Sequence, residues 1–300
     1  GDNLGLHGVV FANATSNSKG GNDTIKTGPG MDFVDGQDGS DKVTVKLMGD
    51  STTNYANVTD SGTEGADTLV VEGTESVDRL LLRQNKDQNL GLVALLPMKE
   101  ELLDDDSKAN VAITSNLNSN IERVNYTAGI ESLNVNANGG NDQIYVDGTA
   151  HKTTVDGGAG NDNFYVGQIY NSERKPRNAA EVQPIDEFNT QKNNEEGYVS
   201  DGVSSGTVLN LEGGSGEDNF VALNNVGTLS MSGGKDNDNF SMYSFRKDGS
   251  GDAFERGAVL IEGGKGDDTL KVRGTDNDDV FVVTKEGMLS DLIAISASGV

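Results

Sequence analysis

The stretch GGNDTIKTGPGMDFVDGQDGSDKVTVK, residues 20–46, decides how the rest of the chain is read. Within it the string Gly-x-Asp-x-apolar occurs at Gly21/Asp23/Ile25, at Gly30/Asp32/Val34 and at Gly39/Asp41/Val43, so the aspartates advance by nine residues twice. An apolar residue two positions after each aspartate fits an extended strand, where alternate side chains share a face. The glycine ahead of the aspartate allows backbone angles closed to other residues, and the chain reverses tightly there. The unit is a turn followed by a short strand. Two nine-residue units per circuit place residues eighteen apart above one another. That puts Asp23 and Asp41 in one stack and Asp32 on the opposite edge.

Related strings return along the chain: GGND at 139–142 with Gly140 and Asp142, GGAGND at 157–162 with Gly158, Gly160 and Asp162, and GGSGED at 213–218 with Gly214, Gly216 and Asp218. GGKDND at 233–238 carries Gly234 and Asp238, with Asp236 where its relatives have glycine. GGKGDD at 263–268 carries Gly264, Gly266 and Asp268, and the GAD string at 65–67 lacks the leading glycine pair. In these later copies the step lengthens, to twenty residues from Asp142 to Asp162 and from Asp218 to Asp238, and to thirty from Asp238 to Asp268. Stretches such as LNLEGGSGEDNFVAL (209–223) and VLIEGGKGDDTLKV (259–272) read as strand, glycine–aspartate turn, strand. Wider circuits follow, with the acidic turns on one edge.

Inward carbonyls and a carboxylate make an all-oxygen ligand set, which suits a hard cation that takes six to eight oxygens, namely calcium. Cysteine is absent and there are two histidines, so the usual ligands of transition metals are missing. The metal ligands expected are therefore the motif glycines and aspartates named above. Asp35, Asp156, Glu212 and Glu262 each stand six residues before a main aspartate, where they complete a shell or end a strand. Glycine–asparagine–aspartate strings also make good metal-free turns.

At these residues the sequence resembles the RTX (repeat-in-toxin) family of secreted bacterial proteins. The nine-residue step that marks the family is kept over residues 18–45 only. The resemblance implies an all-β, right-handed parallel β-solenoid (β-roll or β-helix) with Gly-Asp calcium turns and inserted surface loops. It also implies a bacterial source and a place outside the cell, secreted or on the cell surface. The role implied is that of a calcium-stiffened structural repeat segment in an adhesin or large exoprotein.

A longer period lies above the short one. ADTLVVEGTESVDRLLL (66–82) aligns with DDTLKVRGTDNDDVFVV (267–283) at an offset of 201, and LVALL (92–96) with LIAIS (292–296) at an offset of 200. Self-similarity at a fixed period marks solenoids and arrays. The expected organisation is 1–85 as the second part of one repeat unit, 86–120 as an irregular connection, and 121–300 as the next unit with a loop insertion at 168–207. MKEELLDDDSK (98–108) reads as one or two helical turns with a solvated acidic face. The chain reads as a segment of a longer repetitive protein, with neighbouring repeats of the same parent chain as partners.

Forty glycines and four prolines with 5% aromatic content suit a turn-dense β structure. The formal net charge is −25, which repels nucleic acid phosphates and anionic lipid. No apolar run reaches the length of a membrane span. Partners expected are calcium ions and an extracellular glycan or host-surface ligand, with no nucleic acid and no membrane insertion. The absence of cysteine fits a chain exported unfolded. Parallel β-helices also house polysaccharide lyases and epimerases, which need a base and a charge-stabilising group converging on one face. The carboxylates cluster instead in the glycine turns, and His7 and His151 lie far apart. The expectation is a protein that is not an enzyme, the alternatives being a polysaccharide-acting β-helix enzyme and a ligand-binding module.

Overall fold

A computed structural model describes residues 8–11, 21–49, 54–85, 90–96, 121–149, 151–167, 191–193, 197–200, 202–243, 257–273, 281–284, 287–290 and 294–298. The protein is all-β, with no helix among the described residues. Two eleven-stranded sheets carry the fold. The first sheet runs, in spatial order, Gly8–Phe11, Met31–Asp35, Tyr55–Thr59, Glu122–Thr127, Leu90–Leu95, Arg79–Asn85, Gln143–Val146, Asn163–Val166, Asn219–Ala222, Asn239–Tyr243 and Thr269–Arg273. The second runs Thr24–Lys26, Lys42–Lys46, Thr68–Glu72, Ser132–Asn136, Lys152–Ala159, Val208–Ser215, Thr228–Lys235, Val259–Lys265, Ala294–Ser298, Gly287–Ser290 and Phe281–Thr284.

Over most of its course the chain alternates between the sheets, and each strand pairs in parallel with the strand one circuit later. Thr24 stands beside Lys42, eighteen residues on, and Val208 beside Thr228. The eighteen-residue stacking of Asp23 and Asp41 is therefore present. The parallel run has two interruptions. Leu90–Leu95 is antiparallel to both Arg79–Asn85 and Glu122–Thr127, so three successive described strands lie side by side in the first sheet. The expected irregular connection over 86–120 thus contains a regular strand at 90–95, because its apolar run finds two edges to pair with. Phe281–Thr284, Gly287–Ser290 and Ala294–Ser298 form a second antiparallel set.

One apolar core fills the space between the sheets. Alternate residues enter it, as the inside–outside patterns of Ser132–Asn136 and Asn163–Val166 show. Phe164, Phe220 and Phe240 stack face to face with centroids 4.7 and 4.8 Å apart, the spacing of adjacent strands. Parallel register imposes that stack, since phenylalanine recurs at the same position in three successive strands of the sheet. A buried ion pair between Arg83 and Asp147, at 2.6 Å, bridges Arg79–Asn85 and the end of Gln143–Val146.

The expected helical turns at 98–108, residues 168–190 of the expected insertion, residues 244–256 and His7 lie outside the described residues. Of the rest of the insertion, Gln191–Asn193 and Gly197–Val199 pair with each other, and Gly202–Val203 pairs with Gly148–Thr149.

Candidate metal centre: two carboxylate ladders

Every circuit has two turns, one leading from the first sheet to the second and one leading back. Carboxylates line the first edge over residues 23–131 and the second edge over residues 78–268. On the first edge the Asp23 N–H donates to Asp41 Oδ1 (2.6 Å), Asp41 N–H to Asp67 Oδ1 (2.7 Å) and Asp67 N–H to Glu131 Oε2 (2.6 Å). On the second edge the same bond runs from Asp78 to Asp142 (2.7 Å), Asp142 to Asp162 (2.7 Å), Asp162 to Asp218 (2.8 Å), Asp218 to Asp238 (2.9 Å) and Asp238 to Asp268 (2.9 Å). Each Oδ1 thus satisfies a backbone donor of the circuit before it. The residue ahead of the aspartate bonds the other way: Asn141 Oδ1 accepts from Asn161 N–H and Asn237 Oδ1 from Asp267 N–H. An Asn-Asp pair therefore staples its turn to both neighbours.

The second carboxylate oxygen has a different fate. Oδ2 of Asp41, Asp142, Asp162, Asp218, Asp238 and Asp268 is shielded from solvent and has no hydrogen-bond partner. Oδ2 of Asp162, Asp218 and Asp238 lies against the first glycine of its motif. A methyl group at Gly157, Gly213 or Gly233 would run into the Asp162, Asp218 or Asp238 carboxylate, and at Gly213 and Gly233 into the carbonyl of the next circuit, 2.6 Å away. At Gly213 and Gly233 an unpartnered carboxylate oxygen and a carbonyl oxygen therefore border one place. Burial in the first instance, then the charges of Asp162 and Asp78, pushes the Asp142 carboxyl up to about 7. Burial and the neighbouring aspartates do the same at Asp218, to about 7, and at Asp238, to about 6. Burial also raises Asp41, Asp67, Asp78 and Asp162.

The motif glycines expected as ligands stand in register. Gly39 lies over Gly21, Gly160 over Gly140 and Gly216 over Gly160, each too close for a side chain. Gly158, Gly214, Gly234 and Gly264 form a second column whose φ values of +95° to +105° only glycine adopts freely. Asp236, in the place of a glycine, keeps the turn by taking a φ of +72°, and its Oδ2 accepts from Gly216 N–H at 3.2 Å. Asp35 caps its neighbours, accepting from Gln37 N–H, Ser61 N–H and Ser61 Oγ–H.

Asp32 and Gly30 stand apart from the ladders. Met31 pairs with Tyr55, so the corner position of that strand belongs to Gly30 and Asn54, and Gly30 N–H donates to Asn54 Oδ1 at 2.6 Å. Asp32 sits two residues further along, in register with buried Ala56, at an inward position of the strand. The nine-residue step had aligned it with the corner aspartates, whereas strand pairing puts it one core position past the corner.

Three acids of these edges lie outside the expected set. Asp78 and Glu131 are ladder members without the glycine pair, and Asp60 joins Asp41 and Asp67 in a group whose oxygens lie within 4.8 Å of one another. The signal for the first two is the acid two residues before a buried leucine, Asp78 before Leu80 and Glu131 before Leu133. His151 meets Tyr126 edge-on at 5.9 Å, and burial pushes its imidazole down from the usual range. No family model matches the chain, and neither the curated proteins nor the solved structures include a match.

Proposed function

We propose that the chain is a right-handed parallel β-solenoid that binds calcium along its turn edges, and that it serves as a structural repeat segment of a large secreted or surface-attached bacterial protein of RTX type. The observation that carries the reading is the row of buried, unpartnered Oδ2 atoms at Asp142, Asp162, Asp218, Asp238 and Asp268. A buried carboxylate oxygen facing a carbonyl needs a cation or a proton, because burying a charge unpaired is costly. Aspartates of successive turns, about 5 Å apart, repel by roughly 3 kcal/mol at an effective dielectric of ~20. Left uncompensated over several turns, that repulsion rivals a typical folding stability of ~5–15 kcal/mol.

The Oδ1 atoms hold the turns in register through the backbone, and the Oδ2 atoms with the glycine carbonyls are the ligands left for a hard divalent ion. Calcium so placed would neutralise the edge and tie each circuit to the next. The surface formed is long, acidic and built from repeated strands, which suits an extender or scaffold in an adhesin or exoprotein.

The test is a calcium titration of the chain followed by circular dichroism and calorimetry, with Asp162→Ala, Asp218→Ala and Phe220→Ala beside the parent. Calcium should raise the melting temperature and a chelator lower it. The aspartate variants should weaken calcium binding, while Phe220→Ala should lose stability through its cavity with a smaller effect on affinity. A parent chain whose melting and β-signal ignore both calcium and chelator would overturn the reading.

A further inference from the structure

The first edge is not a simple copy of the second. The circuit from Lys42 to Thr68 takes twenty-six residues where the one before it takes eighteen, and the pairing of Asp35 with Thr59 sets Asp60 beside Gly36 of the preceding turn. Asp60 lies in none of the glycine–aspartate strings. Asp41 and Asp67 are buried, 3% and 4% exposed, and each already uses Oδ1 to accept a backbone N–H. Asp41 Oδ2 and Asp60 Oδ1 are both shielded from solvent without a hydrogen-bond partner. They border the same space beside Gly36, where a Cβ would lie 2.6 Å from Asp41 Oδ2 and 3.1 Å from Asp60 Oδ1. Two unsatisfied oxygens thus point into a gap that glycine leaves open, with Asp67 as the third acid.

We propose that Asp41, Asp60 and Asp67 hold one calcium ion at a three-acid site on the first-edge ladder, unlike the single file of the second edge, with Asp60 as the ligand from outside the repeat motif. Three ligand atoms within 4.8 Å of one another fit one such ion, since oxygens at about 2.4 Å on opposite sides of calcium are about 4.8 Å apart. The group offers oxygen only and up to three negative charges, the chemistry of a hard divalent cation. The site ties the turn 35–41 to the turn 59–67, and it exists because the pairing of Asp35 with Thr59 sets Asp60 beside Gly36. It rests on the reading of the buried carboxylates as calcium ligands, from which the experiment separates it.

Calcium bound per chain is measured by equilibrium dialysis on the parent, Asp60→Asn, Gly36→Ala and Asp162→Asn, with melting recorded with and without calcium. Asp60→Asn keeps the shape and removes a charge, so it should bind one calcium fewer than the parent. In chelator it should melt above the parent, because a repelling charge is gone, and in saturating calcium below it. Gly36→Ala, which fills the gap, should lose the same single ion. A parent that binds calcium while both variants keep its full stoichiometry overturns this site and leaves the ladder reading standing. A parent whose only ion is lost in Asp60→Asn and kept in Asp162→Asn supports this site and overturns the ladder. A parent that binds none overturns both.

Discussion

Residues 66–82 and 267–283 carry closely similar sequences, yet their strands fall in the two sheets in opposite order. Thr68–Glu72 belongs to the second sheet, whereas Thr269–Arg273, its counterpart 201 residues later, belongs to the first. Asp67 and Asp268 open the two strands and do the same work, each accepting the N–H of the corresponding aspartate one circuit earlier. The aspartate followed by an alternating strand therefore specifies a corner and a direction, and it is indifferent to the edge on which it falls. Which edge it occupies depends on how many strands come before it. The crossover occurs where Asp67 and Asp78 serve opposite edges of one circuit, next to the three neighbouring first-sheet strands that include antiparallel Leu90–Leu95. The two positions differ in company: Asp67 shares its corner with Asp41 and Asp60, while Asp268 ends a single file behind Asp238.

The largest effect that tests this comparison is removal of calcium. Extracellular calcium modules bind at about 10⁻⁴–10⁻³ M, so ~10 mM ion adds on the order of 1.4–2.7 kcal/mol per site. Over several sites, and at roughly 2–4 °C per kcal/mol for a chain of this size class, chelation should lower the melting temperature by about 10 °C or more. If the two edges are equivalent in kind, hydrogen exchange in chelator should rise at both the 35–67 and the 157–268 turns. Exchange rising on one edge alone would break the equivalence.

Core truncation comes next. Leu69 is fully buried between the sheets, while its counterpart Leu270 is only partly covered. Leu69→Ala should cost about 2–5 kcal/mol in denaturant unfolding, and Leu270→Ala clearly less, since a side chain already near solvent leaves no closed cavity. Equal losses would mean that the two strands are buried alike.

The pH dependence without calcium is smaller and has a definite sign. The Asp142 and Asp218 carboxyls are held near 7 in the fold, that of Asp238 near 6 and that of Asp60 near 7, all above an ordinary value of 3.8. Below the ordinary value both folded and unfolded chains are protonated and these groups contribute nothing. Between it and the raised value the unfolded chain has lost protons that the fold retains, so stability falls as pH rises. Chemical unfolding in chelator should therefore show stability declining from about pH 4 to about pH 7 and levelling above. Asp218→Asn should flatten that slope through the second edge and Asp60→Asn through the first. Stability that increases over the same range without metal would contradict the burial of these acids.

Much of this was legible in the residues before any strand was placed. The all-β class, the parallel eighteen-residue stacking of Asp23 on Asp41, and the corner places of Asp142, Asp162, Asp218, Asp238 and Asp268 follow from the glycine–aspartate strings. Asp32 was misplaced because local spacing and pairing register are different quantities, and only the second decides which residue turns the corner. Asp60 was invisible because its place near Asp41 depends on the pairing of Thr59 with Asp35, a register that no short string encodes. Leu90–Leu95 was missed as a strand for a similar reason, since an apolar run becomes a strand only when an edge stands open to it.

The smallest predicted effect compares one turn on each edge. Gln37 on the first edge and Asp236 on the second have φ values of +65° and +72°, in places where neighbouring circuits use glycine. The left-handed region costs an ordinary L-residue about 1–2 kcal/mol, and a glycine returns about 0.5–1 kcal/mol of that through the greater freedom of its unfolded chain. Gln37→Gly should therefore stabilise the protein by about 0.5–1 kcal/mol, a rise of roughly 1–4 °C. Asp236 is a different case. Aspartate tolerates the left-handed region better than glutamine does, and its Oδ2 accepts the Gly216 N–H at 3.2 Å. Losing a bond of that kind costs about 0.5–1.5 kcal/mol, which offsets the relief of strain. Asp236→Gly should thus leave the melting temperature nearly unchanged, within about 2 °C. Paired melting curves of the two variants decide the matter. A gain at Asp236 as large as at Gln37 would mean that the bond to Gly216 contributes nothing, and that glycine at this corner is replaceable for its backbone angle alone.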